Sequence, residues 1–540
     1  MLFGRASSKL TTCNYVKALQ LPEANETKFS FCASAKPARV KIWIDELPVT
    51  NAANTSALLY KALPEFAKVQ MTPATRAELL EYVRQPIVNC NETILTPLAQ
   101  SPLNLSETQK KAVVIAQALQ KYMVIAYCRC AIDLSLEKKP NPAVLASYLH
   151  RAMTGLCALM KSNYQFYTPV PSELWAMTNA LFRIAMNAQV KDINVVDPIN
   201  HKASGTVAHA YGATLALACA NPFQLRPVEI NQVYNILLEW SKFIDIHVHQ
   251  DGEKSLFSVL SCSDQEPDYS STFDPQNLSD DGLTIDFSNL INLLNKSDDA
   301  EFSTQRNRTL TLRTSLKDHL SHCWGQRIQR LQQREECDKN IEVCLGISRI
   351  HSLLLNGASF DSFIYGSNDE ADVYSTSWVD NQDKGNRFET PDLYLMEMTN
   401  TGDNGFQLRC NDSIPPNLQA GELIAYREPG KRNWHVGAVR WVRRSDKSGV
   451  QFGVQTLAEK VEALGACTVT DNGNESDFMR VLMVRNSLTD GTESLVIPHL
   501  PFSERYPITL AKRGQQRKVQ LGQMVMATGA FSQFFFRELK

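Results

Sequence analysis

The hydrophobic period of this chain changes once along its length. From about residue 36 to 246, apolar residues recur every three to four positions. From about 390 to the end they alternate with period two. A helix-period pattern cannot settle as a strand, nor the reverse. The chain is therefore expected to be an α+β multidomain protein, with an N-terminal all-α helical array followed by a C-terminal antiparallel β-barrel. Its 540 residues allow three or four domains of about 150 residues. Four regions are predicted: helical 1–246, an acidic loop-rich insertion at 247–302, a basic helix leading into the barrel at 303–343, and the barrel with extra strands at 344–540.

The helical signals are specific. Thr72-Pro73 reads as an N-cap with Pro at the first helical position. Ser106 and Gln109 form a capping-box pattern. Leu145, Leu149, Ala152, Leu156 and Leu159 mark one buried face. Ser172 is predicted to cap a helix with Leu174, Met177, Leu181 and Ile184 inward. Pro227 opens another with Ile230, Val233, Leu237 and Ile244 inward. No clean repeat of 34 or about 40 residues is present, so a loosely repeating stack of helical hairpins is expected.

The net charge is only −2, from 55 basic and 57 acidic residues. That total gives no case for nucleic-acid binding, but it hides segregation. The stretch 247–302 holds twelve acidic residues against Lys254 and Lys296, and reads as a solvated loop. The next segment carries Arg306, Arg308, Arg313, Lys317, Arg327, Arg330 and Arg334. It is predicted as one long helix containing Leu312, Leu316, Leu320 and Trp324. NIEVCLGI then reads as a strand and SRIHSLLLNGASFDSFIYG as a short helix.

The start, MLFGRASSKLTTCNYVKALQ, contains no apolar run of signal-peptide length, and no window reaches 18 uncharged apolar residues. The 13 cysteines read as reduced thiols, so a cytoplasmic chain without membrane insertion is expected. Neither Cys128/Cys130 nor Cys323 with His319 and His322 is completed to zinc-site spacing, so no metal and no cofactor is predicted.

In the β region, ELIAYREPGKRNWHVGAVRWVRRSDKSGVQFGVQTL holds three strands, with Pro429-Gly430 at the first turn and Asp446 to Gly449 at the second. Just ahead of the first strand stands Arg330-Leu331-Gln332-Gln333-Arg334. After the strand DLYLMEM comes Asn400-Thr401-Gly402-Asp403-Asn404-Gly405. This R-x-x-x-R followed by [DN]-x-S-x-x-G resembles the PilZ domain, the bacterial cyclic di-GMP receptor barrel, over about 325–460. The whole layout is similar to long PilZ-bearing proteins of gammaproteobacteria. The resemblance implies a PilZ-like barrel in which Arg330 and Arg334 hold phosphate and guanine, while Asn400, Gly402 and Gly405 line the barrel side. Arg forks suit both groups, because they match phosphate oxygens and the guanine O6/N7 edge bidentately.

The chain departs from the pattern at three points. Gly402 takes the Ser position. Sixty-five residues separate Arg334 from Asn400, which requires an insertion around 345–390. R-x-x-x-R also recurs at Arg440/Arg444 and Arg513/Arg517. Glu462-Ala463-Leu464 spells a phosphodiesterase label without the metal-binding domain it needs. No G-G-D-E-F, P-loop, G-x-G-x-x-G or G-x-S-x-G is present. His247-Val248-His249 reads as a solvated turn. Trp434 and Trp441, an odd seven apart on alternating strands, read as packing residues on opposite sides. The expected function is a non-enzymatic cytoplasmic regulator, with a helical surface for a protein partner and a possible ligand in cyclic di-GMP. Motility, pili, surface attachment or exopolysaccharide is the implied process. A ligand-free helical scaffold with a degenerate barrel is the alternative, and an enzyme using an unrecognised Cys/His site the third reading.

Overall fold

The computed structural model describes residues 17–19, 21–32, 36–296, 301–303, 309–327, 335–366, 392–410, 413–445, 449–468, 476–485, 491–498 and 502–539. The chain divides into two compact units, Met1–Pro222 with Pro227–Gln329, and Phe223–Arg226 with Arg330–Lys540.

The first unit begins with the helices Pro37–Asp45, Ala52–Lys68, Pro73–Leu98, Glu107–Ser135, Pro142–Gln165, Ser172–Asn187, Val207–Cys219 and Pro227–Trp240. Thr72 caps its helix through the Thr75 N–H, and Ser106 and Gln109 close a reciprocal capping box. Ser172 is not a cap. Its backbone is already helical, Pro171 holds the cap position, and no side chain bonds there. The predicted stripes at 145–159, 174–184 and 230–244 are buried. Helices Glu107–Ser135 and Pro142–Gln165 approach closely at Gly155, where a Cβ would collide with Val124 and where the Gln120 amide reaches the Gly155 carbonyl at 3.2 Å. Pro142–Gln165 is long and apolar enough to cross a membrane, but 72% of that stretch is buried inside this fold.

The acidic stretch 247–302 is not a loop. β1 (Asp245–Val248), β2 (Phe257–Leu260), β3 (Asp268–Tyr269) and β4 (Gly282–Asp286) form a sheet in the order β1-β4-β2-β3, flanked by helices Pro275–Asp281 and Ser288–Lys296. Short apolar runs outweigh the surrounding charge. Phe257, Val259, Leu283, Ile285, Phe287 and Leu290 are all buried. The acidic side chains do local work at element ends. Asp274 caps one helix, Asp286 accepts from the Ser288 N–H, and Asp281 pairs with Arg183.

His247 belongs to β1 and His249 follows it directly, both bonded into this sheet rather than lying in a solvated turn. His247 bonds Asp245 at 2.9 Å and Glu253 at 2.8 Å, and His249 meets Thr284 at 2.9 Å. Partial burial works against charge on His247, but the two carboxylates outweigh it and its pKa is raised. A raised folded pKa gives a contribution that is complete below the ordinary value of about 6.5 and is lost as pH rises through the folded value. Amide exchange across 245–253, corrected for its intrinsic rate, is therefore expected to accelerate above neutral pH. A His247→Gln variant should exchange fast throughout; a flat wild-type profile would refute the linkage.

The basic helix is shorter than predicted. It spans only Thr314–Gly325. Upstream, TLT alternates and pairs as β6 (Thr309–Thr311) with β5 (Glu301–Ser303), and downstream Gln326 is extended. Leu316, Leu320 and Trp324 do face inward, and the Trp324 indole N–H donates to the Ala216 carbonyl at 3.0 Å. Cys323 lies 3.5 Å from His319. Among the described residues no His, Cys, Asp and Glu group is arranged to hold a metal, and the cysteines are free thiols.

In the second unit, β7 (Glu335–Leu345), β8 (Tyr394–Gly402), β9 (Gly405–Cys410), β10 (Leu423–Arg427), β11 (His435–Ser445) and β12 (Gly449–Ala458) close antiparallel in the order β10-β11-β12-β9-β8-β7. The strands beyond do not extend this barrel. β13 (Lys460–Thr468), β14 (Met479–Arg485), β15 (Glu493–Pro498), β16 (Pro507–Lys512), β17 (Gln515–Ala527) and β18 (Phe531–Glu538) close into a second one, ordered β13-β14-β15-β18-β17-β16. The physical reason is closure. β7 pairs with β10, which leaves no free edge for further strands to join.

The predicted insertion supplies helices Ile347–Leu354 and Phe360–Tyr365, and it joins the two barrels. Ile350 packs in one cluster with Leu423 and Val436 of the first barrel and Val496 and Phe531 of the second. His351 is fully buried and bonds the Leu464 carbonyl on β13 at 3.0 Å, and burial depresses its pKa to about 4.

Candidate ligand-binding face

On β8, Met396 and Met398 are buried inside the barrel, so Glu397 and Thr399 face outward by alternation. The pairing with β9 breaks register between Met398 and Asn400. That bulge puts Asn400 on the outer face too, where its amide donates to the Gln407 side chain at 3.0 Å. Gln407 lies between the buried Phe406 and Leu408 and is outward for the same reason.

Register then builds two outward rows. The first runs Glu336, Asn400, Gln407, Gly453 and Trp441. The second runs Asn340, Glu397, Arg409, Gln451 and Arg443. A Cβ on Gly453 would collide with the Trp441 indole, so this glycine is what lets the ring lie across β12. Trp441 therefore exposes part of an aromatic plate on the face that carries Asn400. Trp434 is not in a strand. It stands one residue ahead of β11, buried, with the Arg427 guanidinium 4.3 Å from its ring centroid.

Between β7, β8, β9 and β12 the face dips into a cleft of about 530 Å³. Its lining includes Glu336, Asp338, Glu397, Thr399, Asn400 and Arg409. The Arg409–Glu397 pair is long, 3.5 Å. Thr399 Oγ1 and Arg409 Nε are shielded from solvent and have no hydrogen-bond partner. Both atoms lie on the concave face that carries Asn400.

Of the sequence-predicted residues, Asn400, Gly402 and Gly405 come together at the β8–β9 hairpin. A Cβ on Gly405 would strike the Val454 carbonyl oxygen of β12, so the glycine serves close strand approach. Arg330 and Arg334 lie outside the described residues; β7 begins at Glu335. Sequence reasoning missed Glu336, Gln407 and Trp441. A bulge leaves no trace in composition. The neighbouring Gly453 was the one readable signal, and only once its strand partner is known.

Three family models cover most of the chain. "Cyclic-di-GMP receptor FimW, N-terminal domain" matches residues 38–251, the corresponding "middle PilZ domain" matches 256–388 and 375–462, and the "FimW C-terminal beta-barrel domain" matches 464–539. With the closed barrel and its outer polar face, this makes the chain a member of the PilZ-domain family. Its order of domains is that of the FimW models, helical region first, PilZ barrel next and a second barrel last. It is similar to the cyclic-di-GMP receptor FimW of Pseudomonas aeruginosa, with 25% identity over 568 aligned positions covering 96% of this chain and 93% of that protein. No solved structure matches it.

Proposed function

We propose that this chain is a cytoplasmic cyclic di-GMP receptor, a regulator rather than an enzyme. The outer face of its first barrel takes the nucleotide, and its helical unit engages a protein partner of the motility or pilus machinery. The observation that carries the reading is the PilZ match over a face with a cleft, an amide row and an aromatic plate. Arg330 and Arg334 would hold the phosphates, Asn400 and Gln407 would offer amides to a base, and Trp441 would stack one. Ordering of the arginine segment by the ligand would be the switch. It operates only insofar as the nucleotide prefers the ordered arrangement.

Two observations favour the rival reading, a ligand-free scaffold. The described cleft lining holds three carboxylates and one guanidinium, and Gly402 removes a hydroxyl from the motif. Calorimetric titration of the purified full chain decides between them. A saturable heat with cyclic di-GMP at micromolar concentration supports the receptor. No heat up to about 50 μM, a level that excludes any affinity tighter than roughly 6 kcal/mol at the usual standard state, leaves the scaffold. Trp441→Ala is expected to weaken binding about tenfold, the size of one base–aromatic stack. Quenching of tryptophan fluorescence on titration reads the same contact, and an unchanged affinity would remove Trp441 from the site.

A further inference from the structure

The cleft beside Asn400 carries more negative than positive charge. Glu336, Asp338 and Glu397 contribute carboxylates against the single guanidinium of Arg409, with the neutral Thr399, Asn400, Gln407 and Gln451 beside them. A phosphate placed there would meet three like charges. A neutral group carrying several N–H donors would meet complementary partners instead. The guanine Watson–Crick edge is such a group, because N1–H and the N2 amino group point side by side. A carboxylate accepts both at once, as it accepts the two parallel N–H groups of an arginine fork. Adenine shows a bare N1 acceptor at the same place, which a carboxylate repels.

The three carboxylates are not equivalent. Glu397 leans toward Arg409. Glu336 sits at the exposed start of β7, directly opposite Asn400 in the register. Among the described residues its side chain has no hydrogen-bond or ion-pair partner. We infer that Glu336 determines base specificity at this face, accepting the N1–H and N2–H donors of one guanine and thereby excluding adenine. The inference rests on the receptor reading above. It adds a discrimination that the arginines cannot supply from the phosphate side, since phosphates are common to every cyclic dinucleotide.

The test compares cyclic di-GMP and cyclic di-AMP on wild type and Glu336→Gln by calorimetry, with thermal melts to verify the fold. A glutamine keeps the size but offers one donor and one acceptor, the pattern that fits adenine. The expected result is a fall of about tenfold in cyclic di-GMP affinity and a narrowing of the guanine-to-adenine ratio by more than that factor. If wild type binds cyclic di-GMP and the ratio is unchanged in the variant, the Glu336 assignment is overturned while the receptor reading stands. An equal weakening for both ligands also overturns it, because a merely structural role predicts that outcome. If wild type binds neither dinucleotide, the receptor reading fails and this inference fails with it.

Discussion

Replacing Arg330 and Arg334 together with alanine is expected to lower cyclic di-GMP affinity at least 100-fold. Hydrogen bonds to charged groups contribute about 1.5–3 kcal/mol each, and two guanidinium anchors therefore account for some 3–6 kcal/mol. That is roughly two to four orders of magnitude in the dissociation constant. The loss should be large here because the described side of the cleft supplies little compensating charge, three carboxylates against Arg409. Lysine at both positions should recover only part of the affinity, since an ammonium is a point charge and cannot grip phosphate oxygens or a guanine edge bidentately. Wild-type affinity should also fall as salt rises, while the double alanine variant shows little dependence. Titration of the three proteins at two ionic strengths reads all of this. Binding that survives the double alanine substitution would move the phosphate site elsewhere on the chain.

The second large effect is on stability and lies in the helical unit. Asp197 is 1% exposed, and Arg84 grips it with two bonds of 2.9 and 2.7 Å. Arg151 stands 3.5 Å away, and the N–H groups of Ile199 and Asn200 donate to the same carboxylate. Glu81 joins the network, bonding Arg84, Arg151 and the Tyr127 hydroxyl. The network ties helices Pro73–Leu98, Glu107–Ser135 and Pro142–Gln165 to the loop after Asn187. Asp197→Ala would leave the buried Arg84 and Arg151 with only the half-buried Glu81 as counter-charge. Breaking one side of a buried pair costs about 3–5 kcal/mol, so a clear drop in melting temperature of the helical unit is expected. A double replacement of Arg84 and Asp197 by apolar residues should be far milder, because it removes the charge together with its partner. If the single and double variants melt alike, the pairing contributes nothing specific.

The same carboxylate sets an acid limit. Burial alone would raise the Asp197 pKa, but Arg84 and Arg151 beside it outweigh burial and hold it below its ordinary value. A depressed folded pKa means that the contribution is complete above the unfolded value near 4 and is lost as pH falls through the lower, folded value. Unfolding of the helical unit should therefore steepen only below about pH 4, and Asp197→Asn should remove that steepening.

How far the sequence could be read depended on the range of the physics involved. The capping box at Ser106 and Gln109 and the Pro-led starts at Pro73 and Pro227 were legible, because each is settled within four residues. The β region was legible as strands for the same reason. Ser172 misled, since its helix starts one residue early and the proline before it takes the cap position. The acidic stretch misled for a different reason. Its charges draw attention to solvent, whereas two runs of four or five residues, FSVL and GLTID, carry the burial. The arginine segment drew a helix from its composition, yet the strand-like TLT upstream and the stop at Gly325 confine the helix to twelve residues.

By itself, then, the sequence determined the order of helical and β regions, most helix starts, the insertion behind the first barrel strand, and the family motif at Asn400–Gly405. Those features are written in local spacing, where a residue's few neighbours decide its conformation. The tertiary structure alone decided that twelve strands close into two barrels rather than one. It also decided that a bulge turns Asn400 outward beside Thr399, that Trp441 lies across Gly453, and that Arg84 meets Asp197 across 113 positions. Each depends on which distant segment becomes a partner. That choice is made by closure and packing, and a period of two or of 3.6 carries no information about it.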